Sequence, residues 1–226
     1  MRFDVVVNSP AAAHGPDWAV ILPVKPLVAA KSRLSPDDGA TVQDLAMAFF
    51  QDTATAALAC RHVARVLVAT RDARVTEWAL ASGCEVVDDS AARGINAAAT
   101  LAALRVPSGE SIAVLVGDLP CLTPAALERV LAAALQRPTA FLADADGTGT
   151  TTWMSEQPFN SPRCGPGSRA AHVACGAWDL AAELDDPLWI SARRDIDTAA
   201  DLAAARAIGL GSHTAAALQR RDSALT

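Results

Sequence analysis

"SIAVLVGDLPCLTPAALERVLAAAL" spans residues 111–135 and holds two different periodicities joined by a charged turn. Ile112 to Val116 are apolar without alternation, as expected of a strand covered on both faces. The next residues are Gly117, Asp118 and Leu-Pro, and then a helix start: Thr123 as N-cap, Pro124 in the first turn, Glu128 close behind. Strand, turn and helix in this order form half of a βαβ unit. Such folds bind ligands at loops following the carboxyl ends of the strands, and Asp118 stands in one of them.

The same alternation runs outward from this stretch. "WAVILPV" (18–24), "VARVLVAT" (63–70), "CEVVD" (84–88) and "TAFLAD" (139–144) read as further short, apolar strands. Helical patterns lie between them at 41–60, 73–83, 95–104 and 123–135, with a short helix at 168–175 and a last one at 198–208. The expected fold is a single-domain α/β protein with a mostly parallel, Rossmann-like sheet. Residues 1–17, rich in Ala, Pro and Gly, read as a flexible N-terminal extension. The working domain is expected over 18–210, and residues 211–226 read as a polar, mobile tail.

The chain has 226 residues, is 51% hydrophobic and carries a formal net charge of −6. That size supports one full core, and the charge argues against nucleic acid or an anionic membrane as partner. No apolar run reaches the roughly 18 residues of a membrane span, and the N-terminus lacks a secretory pattern, so a cytoplasmic protein is expected. Cys60, Cys84, Cys121, Cys164 and Cys175 are odd in number and never paired as C-x-x-C, which suits reduced thiols. His172 is the one histidine near a motif, and a surface or helix-packing role is expected for it.

Charge is concentrated in a few loops. Lys25 and Lys31 are the only two lysines and lie beside Arg33, directly after the first strand. Ammonium groups there suit a polyphosphate, for which no Gly-rich phosphate loop is present; a solvated loop is the plainer reading. Asp118 suits a divalent cation or a turn. In "RRDIDTAADL" (193–202), Asp195 and Asp197 flank Ile196, so an extended backbone turns both carboxylates to one side, a costly pairing unless a cation neutralises them. Asp197 is also placed to cap the helix that follows. "DADGTGTTT" (144–152) and "CGPGSRAAH" (164–172) supply Thr150, Gly165 and Ser168 around tight turns suited to a small anion, or to ordinary capping. "RGINAAA" (93–99) offers Arg93 and Asn96 to a base or ribose, though Asn96 equally begins a helix.

Together, "PVKPLVAAKSRL", "RGINAA", "VGDLPCL", "DADGTGTT", "GPGSRAAH" and "RRDIDTAADL" resemble, in order and over about Trp18 to Leu210, the phosphoenolpyruvate or 2-phospho-L-lactate guanylyltransferases of coenzyme F-420 biosynthesis. The resemblance implies a nucleotide-diphospho-sugar transferase type of fold. It implies a magnesium-dependent enzyme joining GTP to a phosphorylated three-carbon acid, with phosphoenolpyruvate the favoured acid and a homodimer allowed. It assigns the nucleotide to Lys25, Lys31, Arg33, Arg93 and Asn96, with Lys25 and Asp118 catalytic. Two Mg2+ ions fall to Asp118, Asp195 and Asp197, and the acid to Thr150, Gly165 and Ser168. Two departures touch the acid pocket: Cys164 replaces an expected Phe, and "TTTWMSEQPFNSPR" (150–163) is atypical. Two rivals stay open, another nucleotidyltransferase of this fold and a non-catalytic nucleotide sensor. The first usually opens with a Gly-rich loop absent here, and the second has no need of three metal-binding carboxylates.

Overall fold

Apolar residues on both faces of the strands require helices on both sides of the sheet, and that is the arrangement found. The computed structural model describes residues 18–29, 34 and 39–224. Strands β1 (Trp18–Pro23), β2 (Val63–Ala69), β3 (Glu85–Val87), β4 (Ser111–Leu115), β5 (Thr139–Ala143), β6 (Thr150–Ser155) and β7 (Trp178–Asp179) form one sheet in the order β3-β2-β1-β4-β6-β5-β7. All pairings are parallel except those of β6, which runs against both β4 and β5. The mostly parallel α/β expectation therefore holds, with one reversed strand added.

The helices are α1 (Gly39–Leu58), α2 (Ala73–Ala81), α3 (Ile95–Ala103), α4 (Pro124–Ala134), α5 (Ser168–Ala174), α6 (Leu180–Glu183), α7 (Ile190–Arg193), α8 (Ala199–Ile208) and α9 (Ser212–Ala224). Alternate residues of β1 divide between two cores. Trp18, Val20 and Leu22 join Phe50 of α1, Val75 of α2 and Leu127 and Val130 of α4. Ala19 and Ile21 join Ala98, Ala99 and Ala102 of α3. Thr123 caps α4 as read from the sequence, its hydroxyl accepting from Ala126 N at 3.1 Å.

The segment expected to be a mobile tail is instead helical in its described part: α9 packs on α1. Leu45 and Phe49 of α1 meet Ala217 and Leu218 of α9 and Leu202 of α8 in a third core. The anchor is polar. Asp52, buried in α1, accepts the amides of His213 (3.0 Å) and Thr214 (2.9 Å), capping α9 across 161 residues of sequence. Gly211 makes this possible, since a Cβ there would collide with the Asp52 carboxylate. No described helix is long and apolar enough to cross a membrane.

Candidate active site

Lys25 and Asp118 are brought level by strand register. Ile21 of β1 faces Val114 of β4, and each of the two charged residues lies four positions beyond that rung. Gly117 lets the loops converge: a Cβ there would touch the Val24 side chain at 3.3 Å. The Lys25 loop is bracketed from the neighbouring β2–α2 turn. Thr70 donates its hydroxyl to Val24 O (2.9 Å), and Leu27 N donates to Asp72 Oδ2 (2.8 Å) while Asp72 Oδ1 caps α2. The backbone around Lys25 is thus pinned at both ends and its side chain stands exposed. Asp118 is steadied from α1, where Thr53 Oγ1 accepts the amide of the following residue, Leu119, at 2.9 Å. Lys31 and Arg33 lie outside the described residues.

The segment carrying Asp195 is bolted to the end of β5. Arg193 donates from Nε to Ala143 O (3.0 Å) and from Nη2 to Asp144 O (2.8 Å), and its own carbonyl accepts Ala145 N (2.8 Å). Ile196 is fully buried, half-buried Asp195 precedes it, and exposed Asp197 follows it. Burial pushes the Asp195 carboxyl up to about 7, helped by the negative charges of Asp118, Asp144 and Asp197. Asp195 and Asp118 are therefore electrostatic neighbours although 77 positions apart in the numbering (195 − 118). The capping role of Asp197 falls to other residues. Thr198 and Asp201 form the capping box of α8, and Asp197 N donates to Asp201 Oδ2.

The expected three-carboxylate cluster is not preassembled: among the described residues no three His, Cys, Asp or Glu side chains are gathered closely enough to hold a metal ion. What is present beside Lys25 is a like-charged group of carboxylates, one of which, Asp195, is partly protonated near neutrality. Such a donor set fits magnesium delivered with a polyphosphate, since that ion takes one or two carboxylates and completes its shell with phosphate and water.

A second wall is built by hydrogen bonds around Thr150. β6 is antiparallel, so its first residue, Thr150, lies at the edge where the parallel strands end, paired with Ala143 of β5. Asp144 shapes the glycine turn before it, accepting Thr148 N (2.9 Å) and Gly149 N (2.7 Å). Gly165 and Gly167 adopt φ of 140° and 71°, left-handed backbone that turns the chain into α5. Ser168 and His172 are one helical turn apart and both are buried. Arg169 ties α5 to the glycine turn, donating to Asp179 Oδ2 (2.7 Å) and Gly147 O (3.0 Å).

Asn96 stands in the first turn of α3, as one of its two sequence readings expected. Its Nδ2 donates to Cys164 O (3.1 Å) and its Oδ1 accepts Cys164 N (2.8 Å), so the amide clasps the "RCGPGS" loop with one of its two N–H donors and one lone pair of its oxygen. Gly94, with φ of 91°, caps α3 just before it, and Arg93 is exposed alongside. The clasp engages the backbone of Cys164 rather than its side chain. Three contributors were missed in the sequence: Asp144, Thr53 and His172. Asp144 carried the same signal as Asp118, a carboxylate just past an apolar strand. Thr53 carried none.

A doubly covered sheet with one reversed strand, and lysine and carboxylates along its carboxyl edge, defines a class of α/β protein that binds its ligand at that edge. Solved structures agree on the fold. A protein described as a nucleotide-diphospho-sugar transferase from Desulfovibrio desulfuricans G20 matches with a TM-score of 0.64 at 16% identity, covering 92% of this chain and 96% of that one. A nucleotidyl transferase from Methanothermobacter matches with a TM-score of 0.55 at 16% identity, covering 86% and 98%. Within that class, residues 18–221 match the family model "Guanylyl transferase CofC like", and the chain belongs to this family. Among similar proteins, the phosphoenolpyruvate guanylyltransferase of Streptomyces coelicolor is 48% identical over 210 residues, 90% of this chain and 96% of that protein. That of Thermomonospora curvata is 45% identical over 209 residues, 90% and 89% respectively.

Proposed function

We propose that this protein transfers GMP from GTP to phosphoenolpyruvate, releasing pyrophosphate, as a step of coenzyme F-420 biosynthesis. What supports the reading is the gathering of Lys25 and Asp118 past the carboxyl ends of β1 and β4, with Asp195 close enough to Asp118 to feel its charge and Thr150 beginning β6 at the same sheet edge. The names borne by relatives 48% and 45% identical support the choice of nucleotide and acid.

A phosphate monoester is largely ionised near pH 7, so the acceptor needs no protein base. Its oxygen forms a bond to the α-phosphorus of GTP as the bond from that phosphorus to the bridging oxygen of pyrophosphate breaks. The work of the protein is positioning and charge neutralisation. Lys25 faces the departing pyrophosphate, where the pinned loop holds it. Asp118 and Asp195, with Asp197 at the rim, are the residues to hold Mg2+. When bound, that ion supplies a positive charge against which two phosphates can approach. Thr150, Gly165 and Ser168 orient the carboxylate of the acid.

The test is the mass of the product formed from GTP and Mg2+ with phosphoenolpyruvate, with 2-phospho-L-lactate, and with neither. A GMP adduct of phosphoenolpyruvate with one pyrophosphate per turnover is expected. An adduct of 2-phospho-L-lactate alone changes the acid; no adduct with either acid refutes the transferase reading.

A further inference from the structure

His172 is wholly buried, packed 4.5 Å from the ring of Trp153 and 5.3 Å from that of Phe141, and both its ring nitrogens are engaged. Nε2 lies 2.8 Å from the backbone amide of Arg163, and Nδ1 lies 2.9 Å from the hydroxyl of Thr150. A backbone N–H can only donate, so Nε2 must be the lone-pair nitrogen. A neutral imidazole then carries its proton on Nδ1, and an imidazolium is excluded because it would set N–H against N–H. The Nδ1 proton can go only to Thr150 Oγ1, which accepts. The Thr150 hydroxyl proton is thereby left to be donated elsewhere.

We infer that His172 is a positioning residue for the acid substrate. By fixing its own tautomer on Arg163, it makes the Thr150 hydroxyl an obligate donor, aimed at an anionic acceptor group. A hydroxyl free to rotate presents lone pairs as readily as its proton, and a carboxylate rewards only the proton. The same ring joins three parts of the pocket: β6 through Thr150, the "RCGPGS" loop through Arg163, and α5, on which Ser168 lies one turn away on the same buried face. Burial, and after it the positive charge of Arg163, keeps the ring neutral as this role requires, lowering its pKa to about 4.

The inference rests on the acceptor reading above, and its test separates the two. Nitrogen-15 NMR of the histidine side chains in the full-length protein is expected to show His172 protonated at Nδ1 and bare at Nε2 between pH 5.5 and 8. Protonation at Nε2 overturns the inference whatever the substrate. In kinetics, His172→Gln keeps an acceptor for Arg163 but loses the donor to Thr150. The KM for phosphoenolpyruvate is expected to rise about 10–100-fold, the scale of one hydrogen bond to a charged group, with the KM for GTP unchanged. His172→Asn, whose Nδ2 occupies the Nδ1 position, is expected to recover most of that loss. In a Thr150→Val background His172→Gln should add little. An effect that is fully additive there, or equal for Gln and Asn, means a packing role and overturns the inference. If wild-type protein makes no adduct with phosphoenolpyruvate while the tautomer is as stated, it is the substrate reading that fails.

Discussion

The two walls of the cleft solve opposite problems. At the charged wall, burial first and then the negative charges of Asp118, Asp144 and Asp197 push the Asp195 carboxyl up to about 7, so the protein alone is electrostatically unfavourable there. At the other wall, His172 pairs with Thr150 and with the amide of Arg163, and Asn96 pairs with Cys164, through neutral hydrogen bonds of 2.8–3.1 Å. The first wall is completed by what it binds; the second is complete beforehand. A charged ligand that varies in hydration is best met by repulsion it can relieve, and a small acid by donors already aimed at it.

The sharpest way to break this contrast is to neutralise the charged wall. Asp118→Asn is expected to lower kcat by about 10²–10³-fold, the range for loss of one preorganised electrostatic group, with the thermal transition kept. Normal turnover in that variant removes Asp118 from the site. Next comes Asp195. Its folded pKa, about 7, lies above the ordinary 3.8, so the folded state holds a proton the unfolded state has released. Stability from this group is present below pH 3.8 and lost as pH rises through 7. Asp195→Asn removes that loss, and denaturant unfolding of metal-free protein should show a gain at pH 8 relative to pH 4 of about 2–4 kcal/mol over wild type. An equal difference at both pH values counts against the crowded-carboxylate account.

The neutral wall has the opposite sign. His172 is lowered from 6.5 to about 4, so unfolded chains take up its proton first. Stability is full above pH 6.5 and is lost as pH falls toward 4, by up to about 3 kcal/mol. Because Asp195 gains over part of this window, the loss is cleanest in an Asp195→Asn background compared with and without His172→Gln. Its absence there contradicts a buried neutral ring. The smallest effect lies away from both walls: Asp52→Ala uncaps α9 and should cost about 1–2 kcal/mol of stability while leaving both substrate KM values in place. A change in KM would link α9 to the cleft.

The strands at 18–24, 111–118 and 139–144 were legible because burial on both faces leaves an apolar run, and those at 63–70 and 84–88 because valines cluster there despite Arg65 and Glu85. β6 was not, because Thr151 and Thr152 fill the sheet there with buried hydroxyl groups, and a glycine turn precedes them. The two-residue β7 is too short to carry a period. α9 was read as a polar tail because Thr214, Ala217 and Leu218 are its deeply buried contacts and its anchor, Asp52, lies far away in the chain. At the candidate site, Lys25 and Asp118 could be picked out from charge placed after strands, and Asp195 from its alternation with Asp197 around Ile196. The pairing of Asn96 with Cys164 and of His172 with Thr150 could not, since neither residue's type nor its spacing records which backbone it meets.

The most direct trial of the charged wall is calorimetric titration of Mg2+ with GTP into wild-type protein and Asp195→Asn at pH 7, in buffers of different ionisation enthalpy. Asp195, poised near its pKa, is expected to give up about half a proton as the complex forms. The Asn variant should release correspondingly less. Tight binding to the wild type with the same proton release as the variant would contradict the claim that a bound cation relieves the repulsion among these carboxylates.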